Sequence, residues 1–563
     1  MDEQTCKKAI YSNDWYDLML RREDVAPQPG PVDCMINLDG AYQMWYFERG
    51  FLPEINYTRY TYSAVPKCFT PLSEQALDAS GILRIREQPN LALTGEHVII
   101  GIVDGGIDYT DPAFRYEDGS SRIIALWDQS EENGTPPKDY YYGQEYTQEM
   151  INAALASGEP LLVVPENDPV GHGTAVAAAA AGSENPVSGF SGAAPYADLA
   201  VVKLKEAKQY LRDFYFVPDG VPAYQENDIM IAVDYLNRLA FVRNQPLVIL
   251  IALGTNNGAH GGETYLASFM DDIGQRRRRV IVTAAGNEAN ARHHYYGRIT
   301  DQENYATVEV NIERAMNGFF AEMWSREPDL YEIAVVSPAG ERLSRIASER
   351  QGRREYTFIL EGTTLTVDYR IVGTRTANQM IFLRFTRPSK GVWKILVYPK
   401  NYVYGTFHMW LPIRAFLESP VYFLSSNPDV TLTVPGTAGT PMTVAGYDDR
   451  SGALYLDSGR GYTTDGSIKP DFAAPAVNIE GPEGITHTGT SYAAAIAAGA
   501  AAMFLEWAVV RGNLPAANTA DVKSEFIRSA AQTPGMLYPN REWGDNGMIV
   551  SSEGEASKIK GFR

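Results

Sequence analysis

Hydrophobic positions along the chain fall into two textures. The first consists of short, unbroken apolar runs rich in β-branched residues. His97-Val98-Ile99-Ile100-Gly101-Ile102-Val103 ends in Asp104-Gly105-Gly106, the pattern of a strand buried on both faces with a sharp turn at its carboxyl end. Similar runs occupy 199–204, 247–253 and 280–284, with helix-spaced apolar residues between them over 228–239 and 264–275. Strands alternating with helices predict a mostly parallel sheet covered on both faces, with function beyond the carboxyl ends of its strands. The second texture is short alternation bounded by turn residues, at 306–312, 331–337, 356–360, 365–372, 380–385, 393–398 and 405–411. This predicts an antiparallel sandwich set into the α/β domain. The α/β texture returns at 442–445 and closes with a helix over 519–531. The run 492–505 holds fourteen apolar or glycine residues, mostly Ala and Gly, too short for a bilayer and suited to a buried core helix. The expected divisions are 1–75, a small α/β unit; 76–296, the first part of the main domain; 297–435, the insert; and 436–563, the second part.

Composition narrows the partners. Among 563 residues, 49 Lys and Arg stand against 69 Asp and Glu, a formal charge of −20 that disfavours nucleic acid. The one dense basic cluster, Arg276-Arg277-Arg278-Arg279, reads as a solvated helix end. The three cysteines, Cys6, Cys34 and Cys68, all lie in the first 68 residues, so a disulfide scaffold is excluded and the three cannot all pair with one another. Met1-Asp2-Glu3-Gln4-Thr5-Cys6-Lys7-Lys8 lacks the pattern of a secretory signal, so the protein is expected to start inside the cell.

Four segments carry candidate chemistry. Asp104 ends a buried strand, where a carboxylate is costly unless hydrogen-bonded and suited to orienting a histidine. His172, between Gly171 and Gly173 and leading into an Ala-rich helix, is open to approach from one side. Ser491, in Thr488-Gly489-Thr490-Ser491-Tyr492-Ala493-Ala494-Ala495, sits at a helix start where free N–H groups favour a developing oxyanion. Asn287, after Ala284-Ala285-Gly286, carries an amide able to donate to that oxyanion. Each has an ordinary reading as well: a strand-end acid, a packing histidine, an N-cap serine, a turn asparagine.

In the order Asp, His, Asn, Ser, each within its own glycine-bearing motif, the set resembles the subtilisin-like serine proteases. Gly192-Ala193-Ala194-Pro195, Lys469-Pro470-Asp471-Phe472-Ala473-Ala474-Pro475 and Tyr538-Pro539-Asn540 with Trp543-Gly544 extend the resemblance over about 90–295 and 436–550. It implies a three-layer α/β fold, Ser491 as nucleophile, His172 as general base and acid, Asp104 as its orienter and Asn287 in the oxyanion hole. Leu253-Gly254 and Ala284-Ala285-Gly286 would line a cleft that takes the substrate as an added strand. Gly105 stands where a Ser or Thr is usual, Tyr492 replaces the common Met, and Ala495 replaces the usual helix proline.

Ile107-Asp108-Tyr109, Asp111-Pro112-Ala113-Phe114-Arg115 and Ile123-Ile124-Ala125-Leu126-Trp127-Asp128-Gln129 are similar to the clostridial Csp germination proteases within that family. The 204 residues from Asn287 to Ser491 leave room for the insert. That branch implies a short prodomain, a jelly-roll insert and activation of a zymogen during spore germination, in a cytoplasmic or spore-associated setting. The extended stretch 58–67 is expected to lie in the cleft, with self-cleavage between about 60 and 76, 72–85 starting the mature chain and the prodomain kept bound. The partners expected are a protein or peptide substrate and the chain's own prodomain, with neither nucleic acid nor membrane. No cofactor is required; Asp111, Asp118 and Asp128 are the acids available to a structural calcium, a weaker reading than solvated loop acids. The competing readings are a pseudoprotease acting as a regulatory binding protein and a general degradative subtilase. The complete triad favours an enzyme.

Overall fold

The computed structural model describes residues 3–23, 34–72, 93–185, 190–300, 304–347, 351–373, 377–482, 484–530, 532 and 535–545, and all counts below refer to these. The central sheet runs Ala453–Leu454, Met442–Asp448, Arg279–Ala284, Leu247–Ile251, Ile99–Asp104, Asp198–Lys203, Ile123–Asp128, Gln144–Thr147, with Phe472–Pro475 also paired to Met442–Asp448. Its inner strands are parallel, and antiparallel Gln144–Thr147 and Ala453–Leu454 close the edges. Ile99–Asp104 explains the unbroken apolar runs: Ile100 and Ile102 enter one core while Ile99 and Val103 enter the other.

Helices Glu226–Val242 and Tyr265–Gly274 cover one face, and His172–Ala181 and Thr490–Leu505 the other. The last two are Ala-rich because they pack closely on their neighbours. A Cβ on Gly499 would fall 2.3 Å from the Ala193 methyl and 2.4 Å from the Ala180 carbonyl. Thr490–Val510 is long and apolar enough to cross a membrane, yet nearly every residue of Thr490–Leu505 is buried in the fold.

Two antiparallel sheets form the sandwich. One orders His294–Arg298, Thr406–Trp410, Gly318–Arg326, Ala377–Thr386, Thr363–Gly373, Gln351–Phe358; the other Arg342–Ile346, Leu330–Val336, Gly391–Asn401, Ala306–Ile312, Val421–Phe423. Their facing side chains, among them Phe319, Met323, Ile381, Trp393 and Phe407, make a core of their own. At the amino end, helix Glu3–Tyr11 packs on strands Trp15–Arg21, Tyr42–Glu48 and Cys34–Asn37, with a Cys6–Cys34 disulfide between them, while Cys68 is free and buried.

Two expectations need correction. The stretch 58–67 is not a strand: it contains the 3-10 turn Tyr62–Ala64, and its Tyr60 and Tyr62 rings go into the core instead of a ladder. The Arg276–Arg279 cluster is only partly solvated: Arg276 pairs with Asp39, and buried Arg279 begins a sheet strand and donates from Nε to Asn237 Oδ1 at 2.8 Å.

Candidate active site

Asp104, His172 and Ser491 come together at the carboxyl end of the parallel sheet. Asp104 ends its strand with both oxygens on one ring: His172 Nδ1 lies 2.9 Å from Oδ1 and 2.8 Å from Oδ2. The Gly105 N–H donates to Oδ1 at 2.8 Å, which fixes the carboxylate plane. His172 opens its helix after Gly171, which is left-handed at φ 77° and so suits glycine. Gly173 is required for space, because a Cβ there would fall 2.1 Å from the Gly106 carbonyl and 3.0 Å from the Asp104 side chain. Asp168 holds this helix start, accepting from the N–H groups of Gly171 and Thr174 and from the Thr174 hydroxyl. Burial by itself pushes the His172 imidazole down; the Asp104 carboxylate, with Asp168 behind it, outweighs burial and holds it above its ordinary value.

Ser491 Oγ lies 3.2 Å from His172 Nε2, on the second residue of Thr490–Leu505, where N–H groups have no partner within the helix. The same oxygen lies 2.7 Å from the Leu72 carbonyl oxygen and 3.2 Å from that of Ala252. One hydroxyl proton cannot serve three acceptors. At the 2.7 Å separation it serves the Leu72 oxygen, and His172 Nε2 stands beside it as the available base. Asn287 Nδ2 donates to that same Leu72 oxygen at 2.7 Å, where an oxyanion would form.

Residues Cys68–Pro71 fill the cleft as an added strand. On one side Thr70 pairs with Gly254 and Pro71 with Leu253; on the other Cys68 pairs with Gln225 and Phe69 with Tyr224. Leu72 follows, its N–H donating to the Ala252 carbonyl at 3.3 Å and its side chain buried. A Cβ on Gly254 would fall 2.9 Å from Leu72 Cδ1, so glycine makes that room. The strand paired with Leu253–Gly254 is therefore 68–71, not 58–67, and Leu72 follows it with its carbonyl oxygen 2.7 Å from Ser491 Oγ. The rest of 72–85, from Ser73 on, lies outside the described residues.

Ala284, Ala285 and Gly286 lead directly to Asn287. Their backbone groups bond to Val444, Thr433, Thr490 and Gly459, and no hydrogen bond joins them to Cys68–Leu72 among the described residues. Thr490, which the sequence reading passed over, orients Asn287: its N–H and hydroxyl lie 3.1 and 3.0 Å from Asn287 Oδ1, leaving Nδ2 to face Leu72. Its place beside Ser491 was the available signal. Tyr492 is buried, stacked on His487 and edge-on to His172.

Asp111, Asp118 and Asp128 do not converge. Asp111 caps Ala113, Asp118 accepts from Ser120, and Asp128 faces Lys203 at 3.3 Å. Among the described residues no group of three His, Cys, Asp or Glu side chains is arranged to hold a metal.

Sheet, strand-filled cleft and Ser–His–Asp geometry define a subtilisin-like serine peptidase. The profile of the subtilase family (peptidase S8) matches residues 95–371 and 419–546, and the chain belongs to that family. Among solved structures it is similar to the CspB protease of Clostridium perfringens, at 29% identity and a TM-score of 0.73 over 83% of this chain and 94% of that one. This places it close to the Csp branch. Sphericase (14% identity, TM-score 0.41, 84% of this chain and 97% of that one) and MycP1 of Mycobacterium smegmatis (14%, 0.37, 87% and 92%) also match. No curated protein sequence matches.

Proposed function

We propose that Ser491 is the nucleophile, His172 the general base and acid, and Asp104 its orienter, and that the enzyme first cleaves its own chain after Leu72. The observation that carries this reading is one carbonyl held by two groups: Ser491 Oγ and Asn287 Nδ2 each lie 2.7 Å from the Leu72 oxygen. Ser491 attacks the Leu72 carbon and passes its proton to His172. Asn287 takes the charge on oxygen, and His172 returns the proton to the leaving amine. A water activated by His172 then hydrolyses the Leu72–Ser491 ester, freeing the Leu72 carboxylate and restoring the serine. The prodomain stays bound, and the protein substrate is a zymogen activated by limited proteolysis in a germination-like setting, in keeping with the resemblance to the Csp branch. Of a cytoplasmic and a spore-associated site, the Cys6–Cys34 disulfide favours the spore, since reducing cytoplasm rarely keeps structural disulfides. The chemistry needs no cofactor.

Intact-mass analysis of the purified protein tests the reading. The wild type should yield two fragments, the first ending at Leu72, and Ser491→Ala a single chain. An uncut wild type that also fails to release the chromophore from a Phe-Thr-Pro-Leu anilide would favour a regulatory binding protein instead.

A further inference from the structure

Gly105 follows the triad aspartate, and its backbone is not in the left-handed region, so conformation does not demand glycine there. Space does. A Cβ at this position would fall 2.1 Å from the Tyr224 hydroxyl and 3.2 Å from the carbon that bears it. The place where a side chain would begin beside the Asp104 carboxylate is thus taken by a hydroxyl reaching in from another strand. The Gly105 peptide is also the one whose N–H holds Asp104 Oδ1. Burial first, then the negative charges of Asp104, Glu206 and Asp168, raise the Tyr224 phenol well above its ordinary value, so it remains a neutral O–H dipole in the field of Asp104. Its backbone meanwhile pairs with Phe69 of the strand in the cleft.

Resting on the triad reading above, we propose that Tyr224 is a positioning residue for the triad: its hydroxyl replaces the missing side chain at 105, holds the Gly105 peptide against Asp104, and ties that alignment to the strand on which substrate docks. Glycine at 105 and tyrosine at 224 are then one device. Altering either disturbs the carboxylate, and altering both together restores room.

The experiment compares the full-length chain with Tyr224→Phe, Gly105→Ser and the double variant, on a chromogenic peptide ending in Phe-Thr-Pro-Leu. Tyr224→Phe should lower kcat about tenfold, through loss of the hydroxyl dipole and of the packing it gives at Gly105, with KM nearly unchanged. The acid limb of its rate profile should move to higher pH, because Asp104 then faces His172 less compensated. Gly105→Ser should lose more, through the 2.1 Å clash, and the double variant should recover activity above Gly105→Ser alone. Wild-type kcat and acid limb in Tyr224→Phe, or losses that multiply in the double variant, would overturn the proposal. Titration of the His172 ring by NMR in Ser491→Ala, with and without Tyr224→Phe, decides the same point without turnover. An unchanged titration refutes the role of Tyr224, whereas a wild type without activity refutes the triad reading alone.

Discussion

Asn287 is held at both ends of its amide: Thr490 bonds its oxygen, and its nitrogen donates to the Leu72 carbonyl. A donor fixed in advance acts where charge develops, so Asn287→Ala should cut kcat about a hundred- to a thousandfold while KM changes little. Steady-state kinetics on a short peptide checks this. His172, held above its ordinary value, makes activity vanish as pH falls through a point above about 6.5, since only the neutral ring accepts the serine proton. The sign for stability is opposite. The protonated His172–Asp104 pair contributes stability that is fully present below about 6.5 and lost as pH rises through the folded value. A rate profile flat from about pH 5 to 8 would contradict a histidine base. At this scale the sequence was most legible, because Asp104, His172, Asn287 and Ser491 lie in short motifs with glycines at fixed offsets. Tyr224 was not legible: nothing within the chain around 224 says that its hydroxyl ends beside residue 105, some 120 positions away.

Strand Gly318–Arg326 shows why part of the insert is not legible in the sequence. Phe319, Ala321 and Met323 face the sandwich core, while Phe320 and Trp324 face the core shared with the catalytic and amino-terminal units. Buried on both sides, it has none of the apolar–polar alternation by which its neighbours were found. Between Phe320 and Trp324 sits Glu322, which accepts from Tyr62 Oη at 2.9 Å, Asn257 Nδ2 at 2.7 Å, the Gly258 N–H at 2.9 Å and Trp324 Nε1 at 3.0 Å. One carboxylate thereby joins the amino-terminal unit, the catalytic domain and the insert. Glu322→Ala would strand four buried donors, a loss of about 3 kcal/mol or more, and should loosen the amino-terminal unit first. Urea unfolding of Ser491→Ala with and without this change measures it; equal midpoints would mean the contacts are slack. The cleft strand was displaced for a related reason. Both 58–67 and 68–72 are rich in extended-chain residues, and only packing of the Tyr60 and Tyr62 rings decides which one lies in the cleft.

For the molecule as a whole, the two-texture pattern anticipated an α/β domain interrupted by β structure, because buried parallel strands and two-sheet sandwiches leave different periodicities. How the amino-terminal unit is anchored was not readable, since its partners lie hundreds of residues away. Lys208 Nζ reaches Asp17 Oδ1 at 2.5 Å and the Ala9 carbonyl at 2.7 Å, and the Asp39 N–H donates to Asp234 at 2.8 Å. The insert adds Arg370 Nη1 on the Thr58 carbonyl at 2.7 Å and Asp368, which accepts from the Thr58 hydroxyl at 2.9 Å. The disulfide lies wholly on the amino-terminal side of Leu72. After cleavage the two pieces should therefore co-elute in gel filtration under reducing as well as oxidising conditions. Release of the smaller fragment by a thiol would show that these contacts persist only while the Cys6–Cys34 disulfide braces the fragment's own fold.

This anchoring, distant from Leu72, has a kinetic consequence. If Ser491 cleaves after Leu72 as proposed, the new carboxyl terminus would be a product tethered beside its own binding site, at an effective concentration on the order of millimolar for as long as the unit stays docked. A substrate competes with a tail of five residues, Cys68–Leu72, whose fraying alone can open the cleft while the unit behind it stays docked. Dilution then cannot relieve inhibition, whereas trimming the tail can.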